Sequence, residues 1–114
     1  MLNQVLSLLR RTRFNLTSES QLQQEISQVF ATQNLTINRE VRLSERDRPD
    51  FMVDGIAIEV KIKGSKKEIY KQCVRYCEHD SVTTLILVTS KSMGFPPFIN
   101  DKPCFVVVLG RNWL

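Results

Sequence analysis

Two carboxylic acids and a lysine form the group of residues whose types and spacing point most directly to chemistry. Asp50 precedes the dipeptide Asp54-Gly55 by four residues, and Asp-Gly between alternating apolar runs is the strongest short-range signal for a two-residue β-hairpin turn. A two-residue turn fixes the strand register, which places Asp50 opposite Glu59. Lys61 follows two residues later and therefore lies on the same face of the strand.

A divalent cation is the natural partner of this acid pair. Carboxylates directly opposite each other have Cβ atoms about 5 Å apart, where like charges destabilise a sheet by up to about 1 kcal/mol. Mg²⁺ prefers oxygen ligands and is often held by one or two carboxylates, and Mn²⁺ is expected to substitute for it. Lys61 could stabilise charge on an attacked phosphate or orient the attacking hydroxide. The alternative is an ordinary exposed hairpin face with salt bridges between these three residues.

The reverse face of the predicted hairpin is wholly apolar. Strand parity separates the side chains into two sets. The set opposite the acid pair is Phe51, Val53, Ile56, Ile58, Val60 and Ile62. This face must therefore be part of the core.

The flanking segments predict helices and buried strands. Residues 2–13 have apolar positions at helical spacing and a basic end, and residues 18–34 and 66–79 each begin with a capping box. Glu25 and Gln72 fall within the apolar stripes of the second and third helices. Strands are predicted at residues 36–43, 50–53, 56–63, 83–90 and 104–110.

The order of elements predicts a mixed α/β (α+β) fold with an αβββαβ core, in which helices flank a mixed sheet. The strand, helix and strand after Lys63 should form a right-handed parallel crossover. At 114 residues, the chain is expected to be one domain over 1–114, with residues 1–14 forming a helix appended to the core.

Composition limits the kinds of partner, metal site and cellular location that the chain is expected to have. The net charge of +4 and pI near 9.2 fit a polyanionic partner. Three cysteines without paired spacing favour a reducing compartment, and cytoplasm is the expected location. A zinc site from Cys73, Cys77, His79 and Cys104 is not favoured, since no Cys-x-x-Cys pair is present. No apolar run is long enough to span a bilayer, and the start of the chain does not have the order of a secretory signal.

The stretch RPDFMVDGIAIEVKIKG, residues 48–64, resembles the signature of the PD-(D/E)XK nuclease superfamily, which has the restriction-endonuclease-like fold. Pro49-Asp50 matches the PD, and Glu59-Val60-Lys61 matches the (D/E)XK. Gln72 and Tyr76 resemble the Q-x-x-x-Y element of several branches. The resemblance covers roughly residues 18–90.

The resemblance implies roles for individual residues. Asp50 and Glu59 would bind Mg²⁺, the backbone carbonyl of Val60 would complete the shell, and Lys61 would be the catalytic lysine. Glu25 would approach the metal from the first core helix, directly or through water.

Gln72 would orient the substrate or a neighbouring ligand. For both Glu25 and Gln72 the structural alternative is a partly buried polar residue satisfied by backbone. Basic residues flank the motif and could contact phosphates or form a solvated surface. They are Arg48, Lys63, Lys66, Lys67, Lys71 and Arg75.

Three functional hypotheses follow. The first is a Mg²⁺-dependent endonuclease that hydrolyses DNA, including branched or structured DNA, as a homodimer that uses the last strand and Trp113. It would be closest to small resolvase-like or VRR-type nucleases of phages or mobile elements. The second is an inactive module on the same fold that binds nucleic acid or protein. The third is a nuclease subunit of a larger complex. The sequence leaves DNA or RNA, substrate structure and metal number open.

Overall fold

Three helices cover the two faces of one six-stranded sheet in the computed structural model, which describes residues 1–110. The strands lie in the order β1-β2-β3-β4-β6-β5. The elements are α1 (Leu2–Arg11), α2 (Glu19–Thr32), β1 (Asn38–Arg39), β2 (Phe51–Val53), β3 (Ile56–Lys61), α3 (Lys66–Tyr76), β4 (Thr84–Thr89), β5 (Phe98–Ile99) and β6 (Lys102–Val108). The predicted class, a mixed α/β sheet flanked by helices, is confirmed.

The hairpin forms in the predicted register. Antiparallel β2 and β3 pair Phe51 with Ile58 and Val53 with Ile56. At the turn, Asp54 and Gly55 both have positive φ, 52° and 97°, which a two-residue hairpin turn of type I′ requires. A side chain at Gly55 would also meet the Thr83 hydroxyl at 2.9 Å, so this position needs glycine for both reasons.

Both faces of the sheet are buried, each in a separate hydrophobic cluster. Helices α1 and α2 pack on the apolar hairpin face that contains Phe51, Ile58 and Val60. Helix α3 packs on the opposite face, where Met52 and Ala57 contribute. The parity prediction is therefore confirmed, and the acid-bearing face lies beneath α3.

The helix ends follow their capping residues. Ser18 caps α2 by accepting a hydrogen bond from the Gln21 N–H, and Ser65 caps α3 by accepting from the Glu68 N–H. Helix α3 ends at Tyr76, earlier than the predicted limit at residue 79. Helix α1 buries Val5 and Leu9 in the same cluster as α2, so it contributes directly to the core.

The strand predictions were accurate in the centre of the sheet and poor at its edges. Strand β4 is wholly buried and runs parallel to both β3 and β6, as the uninterrupted apolar run predicted. The strand predicted over residues 36–43 was wrong in length, because only β1 pairs and Glu40 then adopts a positive φ of 53°. The short edge strand β5 was not predicted.

Several expectations concern other parts of the chain. Cys73, Cys77 and Cys104 are all buried and free, which agrees with the predicted lack of a disulfide framework. Within residues 1–110, no helix has the length and apolar character needed to cross a bilayer. Trp113, part of the predicted dimer surface, lies outside the described residues.

Candidate metal centre

Asp50 and Glu59 lie against each other at the open end of the hairpin. The Asp50 carboxylate Oδ2 accepts a hydrogen bond of 2.7 Å from the Val60 N–H, and the Asp50 N–H donates to Glu59 Oε1 at 3.3 Å. The Asp50 side chain is therefore bonded to the backbone of β3. The Glu59 side chain is bonded to the backbone of Asp50, the residue before β2. The hairpin register fixes Glu59, and Asp50 is the residue that directly precedes β2.

A hydrogen-bonded pair on α3 reaches the same carboxylate from above the sheet. The Tyr76 hydroxyl donates to Glu59 Oε1 at 3.0 Å and accepts from the Gln72 side-chain amide at 2.8 Å. Tyr76 is buried and Gln72 is half-buried. Gln72 therefore reaches Glu59 through Tyr76, and its expected role in orienting the substrate or a neighbouring ligand stays a prediction.

Lys61 is the cation of this group. Its Nζ lies 3.3 Å from Glu59 Oε2, and its side chain is 25% exposed while that of Glu59 is 3% exposed. The ammonium thus contacts the buried acid from the solvent side. It sits between the acid pair and any molecule that approaches this end of β3.

Burial and nearby negative charge perturb both acids. Burial, followed by the charge of Asp50, raises the pKa of Glu59 from 4.5 to about 7, although Lys61 and the Tyr76 hydroxyl act in the opposite direction. Burial also raises the pKa of Asp50, and the charges of Glu19 and Glu40 add to this effect. Lys61 therefore only partly offsets the burial and repulsion that disfavour the charged form of Glu59.

Glu19, not Glu25, is the α2 carboxylate at this centre. Glu25 accepts hydrogen bonds from the Asn15 N–H and the Gln21 side chain. Helix α2 packs on the hairpin face opposite to that of Glu59. The sheet therefore separates a side chain in the middle of α2 from the acid pair. The expectation that Glu25 lies beside the acid pair is therefore corrected.

The sheet does not block Glu19, because Glu19 is the first residue of α2 and its side chain lies at the end of β3. Its Oε1 accepts from the Ile62 and Lys63 N–H groups at 2.8 and 3.2 Å. The sequence did contain a signal for it. Glu19 precedes Leu22 by three residues and Ile26 by seven, which places it on the buried stripe of the helix.

The donor set fits a hard divalent cation held largely by water. Both acids present oxygen ligands, and the charge of Asp50 acts against the ionised form of Glu59, so a cation beside the two acids would be favourable. The N–H and C=O of a strand residue point to the same side, so the carbonyl of Val60 faces the Asp50 side as its N–H does. Within residues 1–110, however, no group of three or more His, Cys, Asp or Glu side chains is arranged to hold a metal. Any ion here would depend on water and phosphate oxygens.

The basic residues that were expected to contact phosphates fall into two groups. Lys63, Lys66, Lys67, Lys71 and Arg48 are exposed. Arg75 instead donates from Nε to Asp47 Oδ1 at 2.9 Å, so its guanidinium is engaged in an internal ion pair. The structure therefore gives Arg75 a structural contact, and its expected role in phosphate contact stays a prediction.

Asp47 is a buried acid that sequence reasoning did not identify. It is 5% exposed, and its carboxylate contacts both Arg75 Nε and His79 Nε2 at 2.9 Å. Burial alone would raise the pKa of Asp47, but hydrogen bonds from His79 and Arg75 outweigh it and lower that pKa. The ion pair with Arg75 attaches the loop that leads to Asp50 to α3, and the contact with His79 attaches it to the turn that follows α3.

We expect Asp47→Asn to lower the free energy of unfolding by about 1–3 kcal/mol at pH 7, because the Arg75 guanidinium loses its buried anionic partner and His79 loses a carboxylate hydrogen-bond partner. A lowered pKa gives stability above the unfolded value near 3.9 that is lost as pH falls through the folded pKa. The difference from wild type should therefore shrink near pH 3. Urea unfolding at both pH values measures it, with the exposed Asp80→Asn as control. An equal deficit at pH 3 would contradict the electrostatic explanation.

The comparisons with known proteins add no relative to this geometry. No model of a known protein family, no curated protein and no solved structure matches the chain. The functional argument therefore depends on the side chains at the end of the hairpin.

Proposed function

We propose that the chain is a Mg²⁺-dependent nuclease that hydrolyses phosphodiester bonds in DNA. The single observation that supports this most strongly is the meeting of half-buried Asp50 and buried Glu59, two acids with raised pKa values, beside Lys61. Like charges opposite each other destabilise a sheet, and strongly perturbed acids cluster at functional sites, so this pair is the best candidate for a functional centre. The resemblance of residues 48–64 to PD-(D/E)XK nucleases supports the same chemistry.

In this proposal Asp50 and Glu59 hold the ion, with the Val60 carbonyl beside them. A bound Mg²⁺ supplies a water of lowered pKa and neutralises charge on the phosphate. Tyr76 holds the Glu59 carboxylate through its hydroxyl, and the Val60 N–H holds that of Asp50. Lys61 then faces the phosphate that is attacked, where its ammonium stabilises the additional negative charge.

The end of β3 offers room for a nucleic-acid backbone. A cavity of about 240 Å³ is lined by Ser18, Glu19, Ile62 and Lys63. It adjoins the acid-bearing edge, because Ile62 and Lys63 follow Lys61 directly. Lys63 lines it, and the exposed Lys66 and Lys67 follow closely in the chain; such positive charge favours a polyanionic substrate.

A cleavage panel tests the proposal. Purified protein is incubated with linear, nicked, flapped and four-way DNA and with RNA, in Mg²⁺, in Mn²⁺ and in EDTA. The proposal expects metal-dependent products that EDTA abolishes, and the panel also identifies the preferred substrate. If the wild-type chain is inert on every substrate with both metals, the enzymatic proposal fails for the isolated chain.

One observation favours a second function, a binding module without catalysis. Both Glu59 oxygens already have protein partners in Tyr76, Lys61 and the Asp50 N–H. Such an acid could be purely structural. Calorimetric titration with Mn²⁺ at pH 8 separates the two functions: the nuclease proposal expects binding that Asp50→Asn weakens, and the module expects no such binding.

A homodimer or a larger complex would extend either function. Small nucleases with one centre in each chain cut both strands by pairing two copies. Size-exclusion chromatography with light scattering, run with and without DNA, measures this directly.

A further inference from the structure

An exposed aromatic pair lies on α3 and the loop that faces it. The pair consists of Tyr70 and Phe95, whose ring centroids are 5.6 Å apart at an interplanar angle of 72°. Tyr70 is 39% exposed, whereas Phe95 is partly buried against the cluster beneath α3. Phe95 thus supports the edge of the Tyr70 ring and leaves part of that ring accessible to solvent.

Both members of the pair belong to segments that leave the acid-bearing edge of the sheet. Lys61 and Thr89 are paired at the carboxyl ends of parallel β3 and β4. Helix α3 begins five residues after Lys61, and Tyr70 is its fifth residue, about 6 Å along the axis from its start. Phe95 lies in the loop that follows β4. The carboxyl edge of parallel strands is also where open α/β sheets bind ligands.

Positive charge surrounds the exposed ring. Lys66 and Lys67 precede Tyr70 by four and three residues, and residues at these separations are neighbours on a helix surface. Both lysines are exposed in the first turn of α3, where the helix dipole adds further positive potential. An aromatic ring flanked by cations matches a nucleotide strand, with its base on the ring and its phosphates on the ammonium groups.

We propose that Tyr70, supported by Phe95, stacks with an unpaired nucleobase of the nucleic acid that the centre acts on. The substrate class is therefore a strand with unpaired bases, such as a flap, a bubble or a single-stranded end, because paired bases in a duplex do not expose their faces. The inference rests on the proposed nuclease function for its choice of ligand. Stacking requires no metal, so a binding measurement tests this inference separately from cleavage.

Binding in EDTA tests the proposal without catalysis. Fluorescence anisotropy is measured with single-stranded DNA, single-stranded RNA and blunt duplex DNA of the same length. Tyr70→Ala should weaken single-strand binding about 5- to 150-fold, the usual effect of losing one stacked base, and change duplex binding by less than about twofold. Tyr70→Phe keeps the ring and should bind like the wild type. The DNA and RNA arms identify which strand is preferred.

A spectroscopic measurement distinguishes stacking from general attraction. A strand that contains 2-aminopurine should lose fluorescence on binding to the wild type and to Tyr70→Phe, and retain it with Tyr70→Ala. Phe95→Leu preserves apolar packing, removes the aromatic edge and should reduce the quenching in part. Circular dichroism verifies that each variant folds.

Phe98→Ala is the matched control. Phe98 is 61% exposed but lies on edge strand β5, paired with Pro103 at the start of β6, away from the acid-bearing edge. The proposal is overturned if Tyr70→Ala binds single strands as well as the wild type does. It is also overturned if duplex binding falls equally, or if Phe98→Ala has the same effect. Cleavage without any dependence on Tyr70 would leave the nuclease proposal intact and refute the stacking proposal.

Discussion

Glu59→Gln is expected to stabilise the protein at pH 8 while it abolishes cleavage. Ionised Glu59 is buried against Asp50, and a neutral amide of the same shape removes that repulsion. A carboxyl whose folded pKa is raised costs stability as pH rises from its unfolded value of 4.5 through about 7. The variant should therefore lack this decline and be about 3 kcal/mol more stable than metal-free wild type at pH 8.

Cleavage by the same variant should fall on the order of 100-fold or more, because a direct ligand of the metal is lost. Added Mg²⁺ should raise the melting temperature of the wild type at pH 8 and leave the variant unchanged. Thermal unfolding at pH 5 and pH 8, with and without Mg²⁺, and a cleavage assay measure these effects. Glu68→Gln, an exposed acid on α3, is the control. A variant that is less stable at pH 8, or that cuts normally, would contradict the proposal.

Lys61→Met should lower the cleavage rate about 100- to 1000-fold, a typical effect of removing a group that stabilises charge only in the transition state. Methionine retains most of the apolar stem, so the fold should persist. The ammonium helps to keep Glu59 ionised, so its loss raises the pKa of Glu59 further. For this reason Mn²⁺ affinity is compared at pH 8.5, where we expect a change of less than about tenfold.

Lys63→Met is the matched control for this experiment. Lys63 has the same parity on the strand as Lys61, but it is exposed and lies beyond the end of β3. Its loss should lower cleavage by less than about tenfold, as expected for a single contact with a phosphate. Equal losses in the two variants would indicate that positive charge in general, and not Lys61 at the acid pair, determines the rate.

The experiments also separate the proposed nuclease from a structural acid pair. A structural pair predicts that Glu59→Gln is stabilising at pH 8 with no Mg²⁺ effect on the wild type. The nuclease predicts that Mg²⁺ removes the penalty in the wild type alone. The comparison of metal-free and metal-bound stability therefore decides between the two, even before cleavage is measured.

The sequence by itself determined the hairpin and the faces of its strands. Asp54-Gly55 requires a two-residue turn, and strand parity then leaves no freedom in which side chains share a face. This was sufficient to place Asp50 beside Glu59 and to bury Phe51, Ile58 and Val60. It also determined the central position of β4, since a strand covered on both faces must be apolar along its whole length.

Only the tertiary structure decided which residues from distant segments reach this pair. Helical periodicity identified an inward acid on α2 but not the face of the sheet on which the helix packs, so Glu25 was chosen and Glu19 was missed. The contact of Asp47 with Arg75 and His79 joins a loop to a helix about thirty residues away, and no local pattern encodes such a pairing. Turn chemistry and alternation act between neighbours in the chain, whereas helix docking depends on the packing of the whole molecule.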